Sequence, residues 1–232
     1  MLFRSQTLAL PTVVTGANRR VTDSGTATSN GFVTQSADGN YLLAGGYDAA
    51  VGTASVTGTA SATTNRVIAR IALDGTVDTS TALTDAYSAN NFRGVASVDG
   101  SSFWISGTGT NPGARFVASL GATTSTQLST TVTNLRCLNV YGGQLYCSSS
   151  SGAFLGVSTV GAGLPTTTGQ AITSLTGGTG ASAYDFFFGD ANTVYVADDR
   201  VNGNGGIQKW TQSAGVWSLA YTLAPNATTG CR

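Results

Sequence analysis

The densest group of oxygen donors in the chain is Asp198, Asp199, Asn202 and Asn204, four side chains within seven residues. Calcium takes about six to eight oxygen ligands, so this loop is the candidate Ca2+ site. Its spacing departs from the Asp-x-Asp-x-Asp-Gly pattern, because Arg200 stands at the third position. The other reading is a solvated hairpin loop in which Asp and Asn bond their own backbone. A second constellation is Arg93, Arg136 and Arg232, which share one position of an internal repeat. Converging guanidiniums can hold a carboxylate or phosphate bidentately; alternatively each bonds carbonyls or an aspartate of the neighbouring repeat. Asp185 and Asp190 are not tied to each other or to a further carboxylate as the acid/base pair of a glycosidase would be. Tyr184, Phe186, Phe187, Phe188, Trp210, Trp217 and Tyr221 crowd the last quarter of the chain, as a sugar platform or as core.

The rest of the composition narrows the chemistry. The 232 residues contain no histidine, and all eleven acidic residues are aspartates. The commonest general base, the commonest zinc ligand and every Ser-His or Cys-His pair are therefore missing. Ten scattered arginines and the single Lys209, at zero net charge, form no basic patch for nucleic acid. No apolar run approaches the ~20 residues of a membrane helix, and Met1–Ser5 lacks the apolar core of a signal peptide. Cys137, Cys147 and Cys231 are too few for a disulfide framework. A two-residue turn at Gly142-Gly143 would set Cys137 opposite Ser148, so a Cys137–Cys147 bridge needs a bulge or a longer loop. Asn226-Ala227-Thr228 is a glycosylation sequon of a kind that threonine-rich chains produce by chance.

The elements that carry these residues are strands. Glycine at 31 residues, abundant Thr and Ser, and 41% hydrophobic content describe short strands joined by tight turns. A strand-turn-strand meander recurs four times, over about 31–83, 92–130, 134–175 and 183–223. From Arg93 to Arg136 is 43 residues, and from Arg136 to Tyr184 is 48, the period of four-stranded propeller blades. The chain reads as an all-β propeller of about four four-stranded antiparallel blades in one domain. A β-sandwich would not require this period, and a solenoid would have a shorter one. In the first copy Ala49–Thr64 is inserted between the second and third strands, and we expect a mobile loop or extended hairpin. Leu8-Ala9-Leu10-Pro11 is similar to Leu223-Ala224-Pro225, so the chain is expected to start on an outermost strand and stop in mid-repeat, as an excerpt of a larger ring.

Thr193-Val194-Tyr195-Val196-Ala197-Asp198-Asp199-Arg200, followed by Gly206-Ile207-Gln208-Lys209-Trp210, resembles the NHL-type propeller repeat, in which a Val-Ala-Asp strand and a returning Ile-Gln-Lys-aromatic strand flank a polar loop. The Thr, Gly and Ser richness is similar to that of extracellular bacterial propeller proteins of uncharacterised function. These resemblances imply a fold and an extracellular or cell-surface setting, not a reaction. Two functions are expected to compete. One is a non-catalytic binding or structural module without cofactor, whose ligand or protein partner sits on the propeller face. The other is a lyase or hydrolase at the propeller mouth using Asp, Arg and Tyr, with Ca2+ as its candidate cofactor.

Overall fold

A computed structural model describes residues 7–176, 181–201, 203–223 and 230–231. Sixteen strands form four antiparallel four-stranded sheets in a propeller-like arrangement, each built from consecutive strands. Blade 1 comprises β1 (Val33–Gln35), β2 (Tyr41–Tyr47), β3 (Arg66–Ala72) and β4 (Val77–Leu83). Blade 2 comprises β5 (Phe92–Ala96), β6 (Phe103–Gly107), β7 (Gly113–Val117) and β8 (Thr126–Gln127). Blade 3 comprises β9 (Leu135–Tyr141), β10 (Gln144–Ser149), β11 (Gly156–Val160) and β12 (Ile172–Ser174). Blade 4 comprises β13 (Ala183–Asp190), β14 (Thr193–Asp198), β15 (Gly206–Ser213) and β16 (Val216–Leu223). Among the described residues no helix is long and apolar enough to cross a membrane.

Turn chemistry sets the register. Gly142 and Gly143 both have positive φ, 56° and 75°, as a two-residue hairpin turn with the strands' own twist demands. Tyr141 then pairs with Gln144, and Cys147 falls opposite Leu138. The Cys137 amide meets the Ser148 hydroxyl instead. Both thiols are free and buried. Burial pushes Cys147 up to about 12 and Cys137 well above the ordinary thiol value, so neither is a nucleophile at neutral pH.

Period-two alternation gives every blade two apolar faces, a front face towards the next blade and a rear face towards the previous one. Leu43, Tyr47 and Ile68 of blade 1 bury against Phe92, Val95 and Ile105 of blade 2. Trp104 and Leu128 of blade 2 bury against Leu135, Leu138 and Val140 of blade 3. Cys137 and Val157 of blade 3 bury against Phe186, Phe188, Val196 and Trp210 of blade 4. Inner strands approach so closely that Gly94 is required: a Cβ there would lie 2.7 Å from Ser106 Oγ and 3.0 Å from the Arg136 carbonyl. Gly94→Val should therefore lower stability by about 1–3 kcal/mol, read as a lower urea midpoint at unchanged m.

Blades 4 and 1 meet at their inner ends. The Phe32 ring lies 4.9 Å from that of Tyr184, whose hydroxyl donates to the Thr28 carbonyl. Beside this corner Val33 and Phe187 stay 61% and 66% exposed.

Two expectations are corrected. The Ala49–Thr64 insertion is a loop and not an extended hairpin. It forms a short 3-10 turn at Val56–Gly58, and Val56 and Ser61 are buried. Arg66 holds it from beneath, donating to the Thr59 and Thr64 carbonyls at 2.7 Å each. Leu8–Pro11 is not an outermost strand. The Pro11 carbonyl accepts from the Val21 amide, and Leu8 lies beside Leu42, Ile71 and Leu73 of blade 1. The corresponding Ala224-Pro225 and the Asn226 sequon lie outside the described residues.

Candidate functional site

The polar groups nearest the inner strands are organised by one recurring contact. In blade 2 the Ser106 hydroxyl accepts from the Gly94 amide and donates to the Arg136 carbonyl of blade 3, at 3.1 and 2.5 Å. In blade 3 the Ser148 hydroxyl accepts from the Cys137 amide and donates to the Tyr184 carbonyl of blade 4, at 2.9 and 3.1 Å. Each serine occupies a gap in its own ladder, where a bulge shifts the register, and so satisfies two backbone groups at once. Thr34 donates similarly to the Val95 carbonyl across the first junction. Ala197 holds the corresponding place in blade 4, opposite Asp185.

The repeated arginines belong to the same clasps. Arg93 donates to Asn134 Oδ1 at 2.5 Å and to the Leu135 carbonyl at 3.0 Å, both in the segment that opens blade 3. Arg136 pairs with Asp199 of blade 4 at 3.0 Å and lies over the Tyr184 ring. Burial, with the Arg136 charge adding to it, brings Arg93 down to about 10, still charged at neutral pH. Its Nε is buried without a hydrogen-bond partner among the described residues. The two arginines thus grip the next blade and do not form an open anion cradle. Arg232 lies outside the described residues.

The proposed calcium ligands are likewise divided among other partners. Asp198 is fully buried. Its carboxylate accepts from Arg200 Nη2 at 2.6 Å, Gln208 Nε2 at 2.9 Å and the Ser182 amide at 3.1 Å. Gln208 is held in turn by Trp210 Nε1 at 2.8 Å. Asp199 faces Arg136, and Asn204 donates to the Val201 carbonyl. Asn202 lies outside the described residues. Among the described residues no three Asp or Cys side chains gather as a metal site would require. Asp190 accepts from the Asn192 amide within its turn.

A cavity of about 320 Å³ lies at the inner strands between β1, β9 and β13. Its lining includes Thr34, Gln35, Asn139, Tyr141, Asp185 and Phe187, and Asp185 is its one charged residue. The side-chain amide of Asn139, whose backbone pairs with Tyr146, makes no hydrogen bond among the described residues, and the Phe187 ring is largely exposed. Tyr141 stacks on Phe188, with centroids 4.8 Å apart. Of the aromatic cluster, Phe186, Phe188 and Trp210 are core, whereas Phe187 and Tyr221 are exposed. No protein-family model matches the chain, and no curated protein matches it.

Sequence reasoning missed the serine clasp. The signal was present as an aromatic-apolar-Ser triplet, Trp104-Ile105-Ser106 and Tyr146-Cys147-Ser148, replaced in blade 4 by Tyr195-Val196-Ala197. It also missed Gln35 and Asn139, which carry no motif.

Proposed function

We propose that this protein is a non-catalytic propeller module that works outside the cell, taking a small neutral polar ligand, a sugar or similar polyol, in the cavity between β1, β9 and β13. One observation carries this reading: Arg93, Arg136 and Asp198 are committed to contacts between and within the blades, while the cavity keeps the side-chain amide of Asn139, the Tyr141 hydroxyl and the exposed Phe187 face, with Asp185 as its single carboxylate. Amide groups beside an aromatic ring suit a polyol, which offers hydroxyls at its rim and C–H groups on its face. The resemblance of β14 and β15 to NHL-type repeats supports the fold side of the proposal alone. The extracellular setting rests on the Thr-, Gly- and Ser-rich composition and is tested by fractionating cells that express the natural gene.

The binding test is a thermal melt with cellobiose, maltose and chitobiose as probes. A ligand at a hundred times its Kd stabilises by about 2.7 kcal/mol, which raises the Tm of a chain this size by roughly 5–10 °C. We expect a rise with at least one probe and its loss in Asn139→Ala. No rise with any of the three overturns the polyol assignment. Turnover of a probe that disappears in Asp185→Asn overturns the non-catalytic one.

A further inference from the structure

We propose that β16 is a docking edge for a second copy of this chain, the two β16 strands pairing antiparallel about a two-fold axis so that both fourth blades join into one sheet. An outer strand presents a row of unpaired N–H and C=O groups, and folded proteins blunt such edges with short strands, charges or a covering segment. Blades 1 to 3 do this. The outer strands β8 and β12 have only two and three residues. The seven-residue β4 is covered: Thr79 donates to Asn18 Oδ1 at 2.8 Å, Arg19 donates to the Thr79 carbonyl at 3.2 Å, and Ala82 and Thr84 donate to the Ala122 and Thr123 carbonyls at 3.2 and 2.9 Å.

Among the described residues β16 has none of these protections. It is eight residues long, Val-Trp-Ser-Leu-Ala-Tyr-Thr-Leu, with no charge and no proline. Its backbone hydrogen bonds within the described chain all belong to the β15 ladder. Val216, Leu219, Tyr221 and Leu223 are 68%, 47%, 45% and 60% exposed.

Three features name a second copy as the occupant. Antiparallel pairing about a two-fold axis centred between Leu219 and Ala220 sets Trp217 beside Thr222, Tyr221 beside Ser218 and Leu219 beside Ala220, large against small at each of these pairs. The register shift opposite Lys209 and Trp210 falls at the same place in both copies and pins that register. The chain is formally neutral, so copies approach without net repulsion. The front face of blade 4, by contrast, has Ala197 where blades 2 and 3 carry the clasping serine, and so lacks the hydroxyl that grips a following blade.

The test is sedimentation equilibrium across a concentration series, with far-UV circular dichroism on every variant. We expect twice the chain mass at micromolar concentration. Ser218→Lys/Ala220→Lys, which keeps every large apolar side chain of the strand, should weaken association roughly tenfold or more by crowding four lysines about the two-fold axis, each against Tyr221 or Leu219 of the other copy. Val216→Lys, at the strand end, should do the same and stands in if the double variant fails to fold. Phe187→Ser, on the front face, should leave the dimer intact. A chain that stays monomeric to roughly millimolar concentration, a dimer that survives the folded lysine variants, or one lost only in Phe187→Ser overturns the proposal.

Discussion

Arg66→Ala is expected to lower folding stability by about 3–5 kcal/mol, the largest effect of any single polar substitution in blade 1. The side chain is fully buried and has no carboxylate partner among the described residues. Its guanidinium donates to the carbonyls of Thr59, Thr64 and Tyr87 at 2.7, 2.7 and 2.8 Å and lies 4.8 Å from the Tyr47 ring centroid. Burial lowers its pKa from the ordinary arginine value, and the planar fork of donors offsets that cost by reaching carbonyls on both sides. Alanine removes these donors: the Thr59 and Tyr87 carbonyls keep only the Ala89 and Asn90 amides, at 3.0 and 3.4 Å, and the Thr64 carbonyl is left with no other donor among the described residues. Lysine offers a compact ammonium that cannot reach both sides at once, so Arg66→Lys should recover less than half of the loss. Urea denaturation measures the change. Elastase digestion locates it: cleavage within residues 49–64 should rise before the blades unfold, because Arg66 supplies the guanidinium donors that tie the insertion to the Tyr87 segment, beside the lesser contacts of Ser61 with Thr84 and of Thr59 with the Ala89 amide. Equal protease resistance in wild type and variant would show that the insertion is held by something else.

The second large effect is expected at Asp198. Asp198→Ala removes a buried carboxylate that serves Arg200, Gln208 and the Ser182 amide together, and should cost about 3 kcal/mol. Asp198→Asn keeps the shape and part of the bonding and should cost about half as much. Because these contacts are internal, the loss should be the same with excess calcium or EDTA, and neither should move the wild-type melt. A native-state ligand must stabilise by mass action, so a calcium-dependent rise in wild type that vanishes in Asp198→Asn would restore the metal reading of this loop.

Residue types alone could not decide between two roles for the same groups. Asp198 and Asp199 read equally as calcium ligands or as loop residues, and they are in fact partners of arginines. The choice turned on Arg136, which lies 63 positions from Asp199 and meets it only because blade 4 packs against blade 3. The bonding alternative for Arg93 and Arg136 was legible, since a residue repeated at the start of successive inner strands must face the next blade. Of the two alternatives for the insertion only the hairpin failed, because its Ala, Val, Gly, Thr and Ser content carries no alternation that would pair two strands. The arginine that orders it sits at the start of β3, outside the segment.

What this sequence determined by itself is local. Alternating apolar residues and Gly-containing turns specify each strand, each hairpin register and the number of blades, because those depend on neighbours a few residues apart. The tertiary structure decided which polar groups remain free. Blade packing brings Ser106, Ser148, Arg93 and Arg136 to backbone groups of the following blade, where burial obliges them to bond. It leaves Asn139, Phe187 and the outer edge of β16 uncovered, since their exposure depends on what lies across a junction and not on their own strand.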